Sequence, residues 1–220
     1  MRTAMIFLMI LTPSLTHAFS EKEIIENVEK EFASMRTMSA KFRQTFHDAG
    51  MEDSEKSTGK VKMKKRLMMR WTYDPPDEQI IVSNGKNIYL YIPEENQVLV
   101  EKIGNVINTS SPALFLAGEY ALKEIFTIRL ATGENKDRIS KEIRLELIPK
   151  KESISVTRIL IGVDSKNWRI RSISIIDWAD NRTDIEFFDI AINGDMNDDS
   201  FNFKTPKGVE AVRLPNLKLE

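Results

Sequence analysis

Few side chains in this chain are suited to acid–base or nucleophilic chemistry. His47 stands beside Asp48 where the first strand pattern ends, and this is the best histidine–carboxylate pair in the sequence. A hydrolytic triad would add a serine on a nucleophile elbow, and the sequence has no such motif. Neighbouring residues of a strand also point to opposite faces of a sheet, so the pair would not converge on one site. We therefore interpret His47 as an exposed turn residue and predict that the protein is not an enzyme.

Metal, cofactor and nucleic-acid sites are not predicted either. The chain has no cysteine, which excludes disulfides, thiolate metal ligands and a lipid-modified N-terminal cysteine. The acidic stretch 195–199 lacks the length and the glycine of a calcium loop, so we interpret it as a solvated connector. The charges nearly balance, with 32 Lys and Arg residues against 33 Asp and Glu residues, which argues against a nucleic-acid partner. This pattern is typical of a binding protein that uses no metal or cofactor.

Residues 1–18 have the three parts of a secretory signal peptide. Arg2 supplies the positive charge, residues 4–11 form a short apolar core, and Ala18 ends a small-residue cleavage pattern. The apolar core is much shorter than the about 20 residues that a membrane-spanning helix needs. We expect cleavage before Phe19, which leaves residues 19–220 as a single domain.

The elements that would position a site are mainly strands. Ser20 and Glu23 form a capping box for a helix over residues 21–34, which carries an apolar stripe at helical spacing. Alternating apolar residues predict a first strand over 38–46 and a second over 58–64. A meander of four strands follows up to residue 103, with Pro-Pro and Asn-Gly turns. Further strands are predicted near residues 125–130, 139–149, 156–163, 170–178 and 184–192, with an irregularity near Ser172 that is typical of a β-bulge.

Both faces of the meander strands are apolar, so each face needs a cover. The helix over residues 21–34 is one cover, and a wholly apolar segment at 113–117, preceded by Pro112, is predicted to be a second short helix. A sheet of this size packs as a sandwich or curls toward a barrel. We predict a mainly β, α+β fold: a large curled antiparallel sheet that forms an open, incomplete β-barrel of about eleven strands, its concave face covered by short helices.

Short motifs recur in order along most of the chain. They are Phe42-x-Gln44, Trp71 before the proline turn, Pro76-Asp77-Glu78, Val82-Ser83-Asn84-Gly85-Lys86, Leu90-Tyr91-Ile92-Pro93, Glu95-x-Gln97-Val98, the run 109–114, and Phe203-x-Thr205-Pro206-x-Gly208-Val209. In their order and spacing the chain resembles the outer-membrane lipoprotein carrier protein (LolA) family of Gram-negative bacteria. Between about residues 121 and 193 the resemblance is one of strand pattern alone.

The resemblance implies a monomeric periplasmic carrier that binds the acyl chains of lipoproteins in a hydrophobic cavity. Such a carrier moves its cargo from the inner to the outer membrane. It implies three kinds of partner: acylated lipoproteins, an ATP-driven releasing complex of the inner membrane, and an outer-membrane lipoprotein acceptor. The alternative on the same architecture is a periplasmic regulatory or sensor domain that binds lipid-modified or misfolded proteins.

The resemblance also implies a lid latch and a cavity lining. A family arginine on the third strand, which hydrogen-bonds the lid backbone, aligns with Lys65, and the proline that follows it aligns with Arg66. Either Lys65 holds the lid more loosely, because lysine lacks the planar fork of arginine, or Arg66 replaces it with a shifted register. The lining residues are expected to be Phe42, Leu67, Met69, Trp71, Tyr73, Ile81, Leu90, Leu114, Phe115 and Leu116. Of these, Leu67, Met69, Trp71 and Tyr73 are expected on the face of Lys65. Plain core packing is the alternative for each of them.

Overall fold

A computed structural model describes residues 19–106, 122–131, 142–151 and 156–213 of the chain. Within these ranges a single sheet of twelve strands dominates the fold. The strands are β1 (Thr37–His47), β2 (Ser54–Lys64), β3 (Met68–Tyr73), β4 (Ile80–Asn84), β5 (Asn87–Ile92), β6 (Gln97–Lys102), β7 (Phe126–Leu130), β8 (Glu142–Pro149), β9 (Arg158–Asp164), β10 (Ile170–Ile176), β11 (Arg182–Ile192) and β12 (Glu210–Arg213). The helices are α1 (Glu21–Ser34), α2 (Ile103–Val106), α3 (Leu122–Ile125) and a 3₁₀ helix (Asp198–Phe201).

The sheet consists of two meanders joined side by side. Its order is β12-β6-β5-β4-β3-β2-β1-β11-β10-β9-β8-β7, and β1 joins the two halves by pairing with β11 from Met38–Ile192 to His47–Arg182. Neighbouring strands run antiparallel except β12, which lies parallel to β6. Among the described strands no pairing links the β7 and β12 edges. The predicted open, curled sheet is therefore confirmed, with one strand more than the eleven expected.

Helix α1 begins and ends where the sequence predicts. The Ser20 hydroxyl accepts from the Glu23 backbone N–H at 3.3 Å, and the Glu23 carboxylate accepts from the Ser20 N–H at 2.8 Å. This reciprocal capping box satisfies two donors that the first helical turn leaves free. Ile24 and Val28 are buried against the sheet and join the main hydrophobic core. None of the helices in the described ranges has the length and apolarity needed to span a membrane.

The two faces of the sheet are covered by different parts of the chain. Helix α1 packs on the face that carries Ala40, Val61 and Trp71, and we call this the inner face. The outer face of the first meander is covered by the segment that follows β11. There Phe201 is fully buried beside β3 and β4, and the ring of Phe203 stacks on Tyr89 at 5.4 Å. The requirement for a cover on each face is thus met by an element at each end of the described chain.

The C-terminal cover was not predicted from the sequence. The acidic stretch 195–199, expected to be only a connector, includes Asn197, whose side chain caps the 3₁₀ helix by accepting from Asp199 N at 3.0 Å. Asp198 accepts from Lys64 Nζ at 2.6 Å, which ties the helix to β2. Strand β12 has only four residues, three of them exposed, so it shows no apolar alternation.

The resemblance places Lys65 on the third strand, and this expectation was wrong. Residues 65–67 form a turn in which Arg66 and Leu67 have φ values of 72° and 61°, and β3 begins only at Met68. Lys65 and Leu67 therefore do not share a strand face. The turn is held against the end of β4, where Ser83 Oγ donates to the Leu67 carbonyl at 2.7 Å. The apolar alternation of β3 continues backwards through this turn, so the alternation does not mark the first residue of β3. Only the contacts with β4 show that β3 begins at Met68.

Two smaller expectations can also be compared with the structure. The β9–β10 pairing shifts register between Ile170 and Ser172, which confirms the irregularity predicted there. His47 is the last residue of β1 and not a turn residue. Its Nε2 lies 3.2 Å from Asp184 Oδ2 on the paired strand β11, whereas the Asp48 carboxylate accepts from Gly50 N. The carboxylate beside His47 is thus that of Asp184 and not that of its sequence neighbour Asp48, because strand pairing places Asp184 on the same face of the sheet as His47.

Candidate functional site

The inner face brings six of the predicted lining residues into adjacent rows. Directly opposed residues of neighbouring strands share a face of the sheet. Trp71 lies opposite Ile81, and Ile81 lies opposite Leu90. In the next rows Phe42 and Tyr73 flank Gly59, and Met69 lies between Met63 and Ser83. The six that lie together are Phe42, Met69, Trp71, Tyr73, Ile81 and Leu90. Leu67 packs beside them from the turn, and Leu114, Phe115 and Leu116 lie outside the described residues.

Aromatic rings form the centre of this face. The Phe42 ring packs edge-on against Trp71 and against Tyr73, with 4.9 Å between ring centroids in each pair. A Cβ at Gly59 would stand 2.8 Å from the Phe42 ring, so glycine is the residue that lets this ring lie against β2. Phe187 of β11 completes the group at 6.2 Å from Trp71. Sequence reasoning did not select Phe187, although the alternation of β11 marks it as inward-facing.

Burial falls from the centre of the inner face toward β5. Met69 and Trp71 are 0% and 2% exposed, whereas Ile81 and Leu90 are only half-buried. Half-buried aliphatic side chains in one row form an apolar strip that is still partly exposed. The face therefore combines a packed aromatic centre with a less enclosed apolar strip on β4 and β5.

The polar groups of Tyr73 and Ser83 on the inner face are both paired. The Tyr73 hydroxyl donates to Gln44 Oε1 at 3.0 Å, and burial raises the pKa of Tyr73 to about 12. Ser83 is fully buried and bonds the Leu67 carbonyl. Trp71 Nε1 is buried and has no hydrogen-bond partner among the described residues. Within the same residues no group of three or more potential ligand side chains could hold a metal ion.

A pocket opens between the second half of α1 and the sheet. Counted together with its solvent-open mouth, this space is about 420 Å³, and the enclosed part is far smaller than a ligand cavity. Its lining is mostly apolar: Phe32, Met35, Met38, Trp168, Ile170, Phe187, Ile190 and Ile192, with Glu31 and Arg169 at the side. Because Met38 and Phe187 belong to the inner face, the pocket continues the aromatic centre toward the C-terminal end of α1. The lining comes from three stretches of the chain, residues 31–38, 168–170 and 187–192, which is why no single sequence motif marks it.

Polar contacts hold the last turns of α1 from both sides of this pocket. Lys65 Nζ donates to the Ala33 carbonyl at 2.5 Å, and Arg169 Nε donates to Glu31 Oε1 at 3.0 Å. The carbonyls of the last helical turn lack partners within the helix, so a cation there is favourable. Arg66 is exposed in the same turn as Lys65. The polar contacts at this end of the helix are thus at least partly solvent-accessible.

A third contact holds the middle of α1. Lys123 of α3 donates its backbone N–H to Glu29 Oε1 at 3.1 Å, and its Nζ lies 3.5 Å from the same carboxylate. Helix α3 is itself anchored by the buried Leu122. The inner face is thus closed by a helix whose apolar side packs into the core and whose polar side is tied by these contacts.

A curled antiparallel sheet with a helix across its apolar inner face defines a class of barrel-like binding folds with a hydrophobic interior. Comparison with known proteins identifies the family within this class. Residues 33–204 match the family model described as outer membrane lipoprotein carrier protein LolA, so the chain belongs to the LolA family. The resemblance inferred from the short motifs is confirmed.

Individual relatives match over nearly their full length. An outer-membrane lipoprotein carrier protein of Pseudomonas paraeruginosa is 27% identical over 214 residues, covering 96% of this chain and 98% of that protein. One of Azotobacter vinelandii is 28% identical over 202 residues, covering 91% and 93%. An uncharacterized conserved protein from Thermus thermophilus superposes with a TM-score of 0.54 at 13% identity, covering 88% of this chain and 98% of that one. The structural likeness shows the fold alone.

Proposed function

We propose that this chain is a periplasmic carrier that holds the acyl chains of lipoproteins on its inner face and moves them from the inner to the outer membrane. The observation that carries the proposal is the apolar inner face with its adjoining pocket, in a chain of the LolA family. The near full-length relatives that bear the name outer-membrane lipoprotein carrier protein support it. No covalent chemistry enters the proposal.

The energetics of such a carrier depend on where the acyl chain comes from. Removing a CH₂ group from water contributes about 0.8 kcal/mol. An acyl chain on an apolar face of a protein in aqueous solution is therefore held firmly, because leaving the face would expose it to water. Transfer from a membrane to the inner face is apolar to apolar, and its net free energy is close to zero. We therefore propose an ATP-driven releasing complex of the inner membrane as the source of cargo and an outer-membrane acceptor as its destination.

Helix α1 is the element that would admit the cargo. An acyl chain in the pocket replaces the contacts that Phe32 and Met35 make with the sheet, so the apolar part of the cost is offset. What remains are the polar contacts of α1 with Lys65, Arg169, Lys123 and Asn193. An exposed ion pair among them contributes only about 0.2–1 kcal/mol. On this proposal the polar contacts of α1 add only modestly to the free energy of lifting its C-terminal end.

The alternative is a regulatory or sensor domain on the same architecture. It is not favoured, because the near full-length relatives are named as carriers. A second distinction is physical. A carrier must release its ligand to an acceptor, and the solvent-accessible contacts of α1 suit reversible opening.

The test is extraction of a labelled lipoprotein from proteoliposomes that hold a releasing complex and ATP. The chain over residues 19–220 should form a soluble one-to-one complex with the lipoprotein. Ile81→Ser, on the inner face, should lower the yield of this complex severalfold. Ile80→Ser is the matched control, because it is the same change on the neighbouring, outward-facing residue of β4 with the same intermediate burial. No extraction, with the releasing complex active toward its own carrier, would overturn the proposal.

A further inference from the structure

We propose that the indole N–H of Trp71 is a polar subsite of the inner face that binds the carbonyl oxygen at the head of an acyl chain. The inference rests on the proposed carrier function and concerns what the face recognises in its ligand. It would let the protein distinguish an acyl chain, linked through an ester or amide carbonyl, from a plain hydrocarbon chain.

The observation behind this inference is an unpaired buried donor. Trp71 is 2% exposed, and its Nε1 is buried without a hydrogen-bond partner in the part of the chain that the structure describes. Buried donors in proteins are nearly always paired, because an unpaired one has lost its bond to water and gained nothing. Tyr73 and Ser83, the buried polar side chains nearest in register on the same face, are both paired. The Trp71 N–H is therefore an exception that calls for a partner.

The described surroundings of Trp71 offer its N–H no side-chain acceptor. Its cross-strand neighbours are Val61 and Ile81, and its ring contacts are Phe42 and Phe187. None of these side chains has an acceptor atom. An indole N–H donates and cannot accept, so the missing partner has to bring an acceptor oxygen or nitrogen with it.

The chemistry of an acyl chain supplies one acceptor at a defined place. Its methylene groups cannot accept a hydrogen bond, but the carbonyl at its head can. Phe187 connects the two regions, since it contacts Trp71 and also lines the pocket under α1. A carbonyl at Trp71 would therefore leave the hydrocarbon tail free to extend along Phe187 into the pocket beside Met38.

The experiment compares two ligands that differ only in whether they carry carbonyl groups at the head of their hydrocarbon chains. Dipalmitoylglycerol has ester carbonyls, and its dihexadecyl ether analogue has the same chains without them. Affinities are measured by displacement of bis-ANS from the chain over residues 19–220. The unsubstituted protein should prefer the ester by about fivefold to tenfold, equivalent to about 1–1.4 kcal/mol. Trp71→Phe removes the N–H and keeps an aromatic ring, and it should bind ester and ether alike.

Trp178→Phe is the matched control, because Trp178 is 70% exposed in the β10–β11 turn, away from the inner face. It should retain the full ester preference. A second readout needs no substitution at Trp71: the NMR signal of its indole N–H should move downfield with the ester and not with the ether. This measurement decides the question even where Trp71→Phe fails to fold.

The outcomes separate the inference from the function on which it rests. Binding of ester and ether with equal affinity by the unsubstituted protein, without an indole shift, overturns the Trp71 subsite and leaves the carrier proposal standing. Binding of neither ligand contradicts the carrier proposal itself. An ester preference that survives Trp71→Phe would place the carbonyl contact elsewhere and overturn the inference.

Discussion

Replacing Lys65 by methionine tests whether the turn before β3 holds the C-terminal end of helix α1. The change removes the hydrogen bond from Nζ to the Ala33 carbonyl and keeps a flexible side chain of similar length. Ala33 lies in the last turn of α1, where the free carbonyls carry the negative end of the helix dipole. We expect the C-terminal end of α1 to lift from the sheet more often, with the sheet itself unchanged.

The expected magnitude follows from the exposure of this contact. A cation at an exposed helix C-terminus contributes about 0.3–1 kcal/mol, and a typical hydrogen bond contributes about 0.5–1.5 kcal/mol net. Because Lys65 is exposed, we take about 1 kcal/mol for the whole interaction. A change of 1.4 kcal/mol is tenfold, so the lifted population should rise about fivefold. While that population is small, the apparent affinity of a dye that needs the inner face rises by the same factor.

The assay is a fluorescence titration with bis-ANS on the purified chain over residues 19–220. Arg66→Met is the matched control, since it removes the same charge from an exposed side chain in the same turn. We expect about fivefold tighter dye binding for Lys65→Met and no change for Arg66→Met. The opposite result would refute the reasoning and make Arg66 the latch. Unchanged binding in both variants would mean that neither side chain holds α1.

Two further predictions concern the inner face. Gly59→Ala should lower the free energy of unfolding in urea by about 1–3 kcal/mol. The added Cβ would meet the Thr72 carbonyl and the Phe42 ring at 2.8 Å or less. Unchanged stability would contradict the packing described. Burial raises the pKa of Tyr73 to about 12. Between about pH 10 and 12 the folded chain therefore keeps a proton that the unfolded chain loses, and the free energy of unfolding falls as the pH rises. This loss, roughly 2 kcal/mol, should be absent from Tyr73→Phe, and an equal loss in both proteins would argue against a buried phenol.

The elements that depend on near neighbours in sequence were predicted well. Helix α1 was placed correctly because Ser20 and Glu23 bond each other across one turn. Met69, Trp71 and Tyr73 share one face because side chains alternate along a strand with a period of two residues. The resemblance to the LolA family came from short motifs of the same local kind, and the family comparison confirms it.

What failed were features that depend on distant contacts. The turn at Arg66 and Leu67 continues the apolar alternation of β3, and it is recognisable only from the Ser83 bond that holds it. The outer-face cover by Phe201 and the parallel strand β12 follow from packing against strands about a hundred residues earlier. No local pattern of residues encodes either contact.

By itself the sequence determined the kind of sheet, the position of the capped helix and the apolar character of both faces. Only the tertiary structure decided that Glu31 meets Arg169 across 138 residues of sequence, that Lys65 reaches the Ala33 carbonyl, and that Trp71 is left without a partner among the described residues. The physical reason is that alternation and capping are fixed by covalent neighbours. A pocket is made by side chains that meet only after the two meanders have joined along β1 and β11.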